Sequence, residues 1–447
     1  MNVVLPGTLD LFSRPAVQLA VLERNTQEFR PVVAQAKVDN PVEFIIHSGS
    51  DEMLDLSETR MRMKLKLDVN KIKNSDNKKE NMTQGEWQKI WPVANILNSI
   101  WKQIDIQIND RPVTNSQQMH AFKAYLDTLT GFSSDSKKGF LSASGWVDQE
   151  YTSTGEETAS GREEWLLPSP GTLNTSKEIQ FYGPLNSELL YQGRALVAGS
   201  RLKITCIPQT NPGFYIKNLN GNSTHTYTIT PVIEDLVLEM TTLKIESKAL
   251  EAQKTMLKTV PAVYPFTRSE VKVFNIPSGK TYYNIAQVQS GTLPSRALVC
   301  FIPNKALVGD FATNPFKFAH QNLSYLCFHK NGKMFPQQPF KPDFTKGLDM
   351  REMLSVYTTL REATTDSCMT INRKDWRDHS MVLGVNFTPE CSAGCLSEGH
   401  VNEDDKGTLS LELQFSAATT DMYALVYLEY ESTLEIHGTG EVKTSWL

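Results

Sequence analysis

Apolar and polar residues alternate strictly along several stretches of this 447-residue chain. In residues 60–67, methionine and leucine occupy every second position, and arginine and lysine fill the positions between them. Alternation with period two is typical of a β-strand with one buried and one solvated face. The same pattern recurs in residues 104–108 and 409–415. These segments are therefore predicted to be half-buried antiparallel strands.

Further short apolar segments bounded by turn residues are also predicted to be strands. They are residues 42–46, 179–182, 201–208, 225–229, 232–240, 270–276, 297–302, 323–329, 381–387 and 423–436. Helical spacing is clearest in residues 247–258, where Ala249, Ala252 and Met256 share one face and Pro261 follows. Two more helices are predicted over residues 117–129 and 348–360. Many short strands and few helices favour an all-β protein built from sandwiches or barrels.

The length of the chain predicts two domains. A single hydrophobic core stops growing near about 250–300 residues, so two all-β units of about 200–250 residues are expected. We place the boundary at the predicted helix near the middle, because two prolines and a new series of strands follow it. The predicted divisions are an N-terminal arm at 1–24, a first unit at 25–246, a linker helix at 247–262 and a second unit at 263–447.

Composition indicates an ordinary globular protein. The formal net charge is −5, with 40% hydrophobic and 21% charged residues. The longest apolar runs fall far short of the roughly 20 residues that a membrane span needs. The N-terminus lacks the pattern of a signal peptide, so we expect no secretory route.

Few residue clusters carry recognisable chemistry. Residues 278–281 match the end of a phosphate-binding loop, but Phe274 stands where that motif needs glycine. Cys391, Cys395 and His400 have ligand types that suit zinc, at an unusual spacing. We predict no catalytic residue, no metal and no cofactor, with a metal at this cluster as the open alternative to a loop with incidental thiols.

Two charged segments are candidates for interaction. A basic row on one strand could face nucleic-acid phosphates, or it could be a solvated strand face. Its members are Arg60, Arg62, Lys64 and Lys66. Residues 148–164 are acidic and contain little to bury, which predicts an exposed loop. Its carboxylates include Glu156, Glu157, Glu163 and Glu164.

Short motifs follow one another in a characteristic order along most of the chain. They are Leu9-Asp10-Leu11-Phe12-Ser13, Leu54-Asp55-Leu56-Ser57, Gln103-Ile104-Asp105, Asn109-Asp110-Arg111, Tyr264-Pro265, Leu293-Pro294 and Asn314-Pro315-Phe316. Together with the closing strands at 409–415 and 429–436, this series resembles the double jelly-roll major capsid protein of Polinton/Maverick elements and adintoviruses. The loops at 71–86, 145–170 and 388–406 depart from that family.

The resemblance implies two consecutive eight-stranded antiparallel jelly rolls with a few short helices. It also implies a homotrimer with a pseudo-hexameric outline that builds an icosahedral shell around double-stranded DNA. Neighbouring capsomers and a penton or minor capsid protein would be its partners, the packaged DNA would be contacted only indirectly, and there would be no small-molecule substrate. The protein would reside in the virion capsid, assembled inside the host cell in the nucleus or cytoplasm.

In this setting the apolar residues of the arm, Leu9, Leu11 and Phe12, are expected to dock on a neighbouring subunit or capsomer rather than on their own core. The loop at about 133–176, which contains the acidic segment, is expected to project from the outer end of the first jelly roll. The alternative function is a jelly-roll carbohydrate-binding protein or glycoside-processing enzyme. That protein would need paired carboxylates or aligned aromatic rings in a cleft.

Overall fold

The computed structural model describes residues 17–33, 40–114, 118–152, 155–169, 173–221, 224–360, 369, 371–392, 394 and 399–445. The strands up to the middle of the chain are β1 (Val21–Phe29), β2 (Val42–His47), β3 (Glu52–Lys73), β4 (Lys78–Glu80), β5 (Ile90–Pro92), β6 (Trp101–Ile108), β7 (Arg111–Pro112), β8 (Ile179–Pro184), β9 (Arg201–Pro208), β10 (Ile216–Asn218) and β11 (His225–Ile245). Those that follow are β12 (Ala262–Ile276), β13 (Tyr282–Thr292), β14 (Arg296–Pro303), β15 (Leu323–Lys330), β16 (Lys333–Phe340), β17 (Leu383–Asn386), β18 (Lys406–Phe415), β19 (Met422–Ile436) and β20 (Val442–Thr444).

The helices are short and lie between strands. They are α1 (Gln84–Trp87), α2 (Ile96–Ser99), α3 (His120–Gly131), α4 (Ser134–Lys138), α5 (Ser247–Leu257), α6 (Asn304–Val308), α7 (Met350–Thr359) and α8 (Arg373–Asp378). The three helices predicted from sequence are confirmed as α3, α5 and α7, with shifts of up to three residues at their ends. Among the described residues, every helix is too short or too polar to cross a bilayer.

The first half of the chain, up to β11, forms two main sheets that face each other. One has the order β1-β11-β3-β4, with β8 also paired to β3, and the other has the order β2-β9-β6-β7. Met61, Met63 and Leu65 of β3 are fully buried, as the alternation predicts, and they share one core with Phe44 and Ile204 of the opposite sheet. The polar positions between them therefore face away from this core.

The second half repeats this arrangement. Its sheets have the orders β12-β19-β14-β17, with β20 added to β19, and β13-β18-β15-β16. Phe301 of β14 and Leu411 and Leu413 of β18 are buried in the core between the two sheets. All pairings between the named strands are antiparallel, and in the described parts of the chain each joins residues within 21–245 or within 262–444. The all-β double jelly-roll fold class is confirmed.

Two strands that were predicted as divided or shortened near a proline are continuous in the structure. The segments predicted at 225–229 and 232–240 join through Pro231 into β11, and β12 begins at Ala262 and passes through Pro265. Proline donates no backbone hydrogen bond, so a strand tolerates it only where one edge is unpaired. Pro231 pairs with β3 alone, since β1 covers β11 only from Leu238 onward, and β12 is the edge strand of its sheet.

Candidate functional site

A cluster of charged side chains lies where the two halves of the chain meet. Lys123 of α3 places its Nζ 2.9 Å from Glu188 and 3.8 Å from Asp127, one helical turn along. Asp127 accepts a hydrogen bond of 2.6 Å from the hydroxyl of Tyr427 on β19. Glu188 accepts from both the backbone amide and the hydroxyl of Ser269 on β12, at 2.9 and 3.0 Å. Two groups from the first half are thus bonded to two strands of the second.

Burial sets the protonation of this cluster. It raises the pKa of Asp127 to about 6, against the partial opposition of Lys123. Burial would also raise the pKa of Glu188, but the charge of Lys123 and the Ser269 bonds outweigh it, so that this pKa is lowered. The pKa of Lys123 is raised because its two carboxylates outweigh its own burial. The cluster therefore holds one firm ion pair and one carboxyl that takes up a proton near pH 6.

A second ion pair extends the cluster within the second half. Arg296 of β14 pairs with Glu429 of β19, which also accepts a 3.1 Å bond from the Tyr427 hydroxyl. A pocket of about 360 Å³ borders Asp127, Glu188 and Arg296. Carboxyls with opposite pKa shifts can serve as acid and base. In Glu188, however, Oε1 is bonded by Ser269 and Oε2 by Lys123, which leaves this carboxylate engaged in the contact between the halves.

Aromatic rings close the same junction on the other side of α3. Tyr125 stacks on Phe316 of the second half with ring centroids 4.3 Å apart and on Trp146 at 5.1 Å. Phe122 meets Phe214 and Phe316 edge to face. Such ring pairs add about 0.5–1.5 kcal/mol each beyond their burial. The helix α3 thus carries both polar and aromatic contacts between the halves.

The predicted acidic loop contributes to this junction and is not uniformly exposed. The side chain of Arg162 is fully buried; it bonds Glu157 at 2.9 Å and the carbonyl of Pro92 at 3.1 Å. Tyr151 stacks on His379 of the second half at 3.6 Å, and Lys317 donates to the carbonyl of Gly155 at 2.8 Å.

The expectation of exposure is wrong for Glu157, whose side chain is only 7% exposed. The single arginine of the loop neutralises this carboxylate and so allows both to be buried. Glu163 is half-buried, whereas Glu156 and Glu164 are exposed.

The basic row lies on β3 among acidic residues of the same strand and of neighbouring strands. Arg60 contacts Glu58, Arg62 contacts Glu28 and Glu239, and Lys66 contacts Glu234. Lys64 lies opposite Asp235 in the strand register. The charge of this row is largely balanced within the same sheet.

The other sequence candidates lie partly outside the described residues. Leu9, Leu11 and Phe12 lie outside the described residues, as does Cys395. Cys391 is exposed, and His400 bonds Glu390 through its Nε2. Within the described residues, no group of three or more His, Cys, Asp or Glu side chains is arranged to hold a metal ion.

The charged cluster at the junction was not predicted from the sequence. The available signal was a lysine and an aspartate four residues apart inside a mostly apolar helix, since that spacing places both on one face. Their partners Glu188, Ser269 and Tyr427 are 65 to 304 positions away along the chain from Lys123. Nothing local in the sequence links them.

Comparisons with known proteins identify a relative by sequence and several solved structures with a similar fold. No protein-family model matches the chain. An uncharacterized protein of Caenorhabditis elegans is 25% identical over 350 residues, which cover 77% of this chain and 79% of that protein.

Several solved structures of viral and virophage capsid proteins have a similar fold. A chain of the Sputnik virophage structure has a TM-score of 0.64 at 13% identity and covers 100% of this chain and 93% of its own. The mavirus major capsid protein has a TM-score of 0.56 at 10% identity, covering 100% and 96%. The Faustovirus major capsid protein has a TM-score of 0.59 at 9% identity, covering 95% and 92%. The chain therefore shares the double jelly-roll fold of these proteins over nearly its whole length.

Proposed function

We propose that this chain is a major capsid protein that trimerises into pseudo-hexameric capsomers and builds an icosahedral shell around double-stranded DNA. The observation that carries the proposal is the extent of the structural similarity, which spans all of this chain and 96% of the mavirus major capsid protein. A shared single jelly roll would say little, because that fold serves many functions. Two jelly rolls in one chain, with nothing large added or missing, favour the same structural role.

In this proposal the arm is residues 1–24, the two jelly rolls are residues 25–246 and 263–447, and residues 247–262 link them. The bonded junction supports this division of the chain, because its contacts join the two jelly rolls to each other. A subunit with two similar halves can present six similar units in a trimer. The surfaces between subunits would join the second jelly roll of one to the first of the next.

The proposed partners are two more copies of the chain, neighbouring capsomers and a penton or minor capsid protein. Contact with packaged DNA would be indirect, and the charge balance of the basic row supports this, since neutralised side chains release few counterions from DNA. We also propose a relation to the capsid proteins of Polinton/Maverick elements and adintoviruses, on the motif order in the sequence. The shell would form inside the host cell, in the nucleus or cytoplasm, and the protein would act without catalysis.

Size and shape test the proposal directly. Light scattering of the purified chain at micromolar concentration should give three times the mass of the chain, which is 50.3 kDa. Negative-stain images should show pseudo-hexagonal capsomers or closed shells. A folded monomer that stays monomeric would contradict the proposal, and saturable binding of oligosaccharides by that monomer would favour the carbohydrate-binding alternative.

A further inference from the structure

A groove of about 910 Å³ runs beside the second half of helix α5. One wall is the helix and the segment after it, and the others are the turns at 197–200 and 437–441. Leu250, Leu257 and Val260 line the groove with apolar surface, and Lys254 and Lys258 line it with positive charge. The groove thus offers an apolar floor beside two cations.

Helix α5 is sparsely packed for a helix of 11 residues, since Leu250 is its one buried residue. Met256 is 62% and Val260 is 53% exposed. A helix this short is marginal in water without tertiary packing. It is held by the Glu246 side chain, which accepts from the amide of Ala249 at 3.1 Å, and by Lys254, which donates to the carbonyl of Ser50 at 3.2 Å. Additional cover over its apolar side would stabilise it.

The chain outside the described residues begins beside this helix. The carbonyl of Ala20 accepts a 2.8 Å bond from the amide of Glu246, the residue that precedes α5. Strand β1 is antiparallel to β11, with Val21 opposite Ile245. Followed backwards from Val21, the chain therefore runs towards α5.

The reach of residues 1–16 matches the groove. Helix α5 is about 16 Å long at 1.5 Å per residue. An extended chain spans about 3.4 Å per residue, so Phe12 and Leu9 can lie roughly 17 and 27 Å from Val17. Residues 9–12 can thus cover the far half of α5, where the groove is.

We propose that residues 9–12 dock in the α5 groove of their own chain. In an extended segment Leu9 and Leu11 share one face and would supply apolar side chains for the floor, while Asp10 and Phe12 share the other face, with Asp10 directed towards Lys254 and Lys258. Attachment through Val17 gives the segment a high effective concentration at this groove, which favours its own chain over a neighbouring subunit. This differs from the expectation from sequence that the arm docks on a neighbour. The proposal concerns the isolated subunit and does not depend on the capsid function.

Hydrogen exchange of the soluble full-length chain provides the first test. In the variant Leu9→Ser, Leu11→Ser, Phe12→Ser, the amides of α5 should exchange at least about tenfold faster than in the unaltered chain, because the cover is lost. The matched control is Val3→Ser, Val4→Ser, Leu5→Ser, which changes three apolar residues of the same arm outside the docking segment and should leave α5 unchanged. Equal exchange of α5 in all three proteins would overturn the proposal.

A disulfide crosslink tests whether residues 9–12 lie in the α5 groove and whether that groove belongs to the same chain. Phe12→Cys combined with Val260→Cys, in a Cys391→Ser background, should form an intrachain disulfide under mild oxidation, detected as a linked peptide by mass spectrometry. Phe12→Cys with Val308→Cys is the control, since Val308 is 68% exposed and lies outside the groove. Crosslinking between chains would show that the arm docks on a neighbour, and equal yield in the control would show no preferred site; either result would overturn the proposal.

Discussion

Lys123 and Asp127 show how single residues fix the junction between the two halves. Lys123 is 9% exposed, although lysine is almost never fully buried unless it is paired. Its two carboxylate partners provide that pairing, and the Tyr427 and Ser269 bonds carry the link to the second half. The geometry of this contact therefore depends on a few side-chain atoms.

Replacing Asp127 should change how stability depends on pH. The pKa of Asp127 is about 6 in the folded chain against a reference of 3.8. Between about pH 4 and 6 the folded state keeps a proton that the unfolded chain has lost, so stability falls as the pH rises through this interval. The asparagine of Asp127→Asn cannot titrate, so the variant should lack this loss. Over the interval the loss amounts to about 2 kcal/mol of the free energy of unfolding.

Urea unfolding of both proteins at pH 4 and pH 7 measures the difference. The groups that face Asp127 are Lys123, Glu188, Tyr427 and Glu429, and all are retained in the variant. Their contributions therefore largely cancel when the two proteins are compared. A stability difference between the two proteins that is the same at both pH values would refute the assignment.

Removing the cation of the cluster should be costly. Lys123→Met leaves Glu188 and Asp127 without their positive partner, and breaking a buried pair costs about 3–5 kcal/mol. Lys443→Met is the matched control, because Lys443 and Glu441 are both more than half exposed and 3.9 Å apart. An exposed pair of this kind contributes about 0–1 kcal/mol. Similar losses in the two variants, measured by chemical denaturation, would show that the buried cluster is not a stabilising contact.

At the scale of elements, the sequence predicted the strands better than their ends. Alternation identified β3, β6 and β18, because each has one face in a core. It gave no sign that β3 and β11 extend to 22 and 21 residues. In β3 the buried positions change phase between Leu56 and Thr59, where the pairing with β11 shifts register, so the alternation does not continue through the whole strand.

One hairpin was missed although its signal was present. Asn331-Gly332 forms the two-residue turn between β15 and β16, with φ of 51° and 79°. Positive φ at both positions is what such a turn requires, and Asn-Gly is its strongest sequence signal. Strand β16 itself contains two prolines and few buried residues, so periodicity alone could not find it.

The acidic loop should be cut at its exposed residues first. Glu156 and Glu164 are exposed, whereas Glu157 is held by Arg162 and Glu163 is half-buried. A glutamate-specific protease should therefore cleave after Glu156 and Glu164 before it cleaves after Glu157 and Glu163, as read by mass spectrometry over time. In assembled shells, full protection of Glu156 and Glu164 would contradict the expectation from sequence that the loop projects from the outer end of the first jelly roll.

At the scale of the whole molecule, the two halves also meet through closely approaching backbones. Asn211 donates through its Nδ2 to the carbonyls of Gly309 and Val308, at 2.7 and 3.0 Å. A Cβ added to Gly213 would lie 2.6 Å from the carbonyl oxygen of Gly309. This contact, like the charged cluster, joins positions that no local pattern connects, which is why the sequence did not predict it.

Gly213→Ala should therefore destabilise the chain by separating the halves at this point. Overpacking of this kind costs about 1–3 kcal/mol. Gly193→Ala is the matched control, because a Cβ there meets no atom within 4 Å, and it should change stability by less than about 0.5 kcal/mol. Equal urea midpoints for the two variants would show that the halves adjust freely at this contact.

The pairing of β1 with β11 has a consequence for synthesis on the ribosome. Residues 21–29 find their partner strand only at residues 238–245, about 200 residues later. At about 5–20 residues per second, roughly 10 to 40 seconds separate the emergence of the two strands. During that interval the nascent chain exposes β1 without its partner strand, together with the apolar side chains of Leu19 and Leu22. The first jelly roll thus cannot close until β11 has emerged. A chaperone that binds residues 17–33 would protect this segment until then.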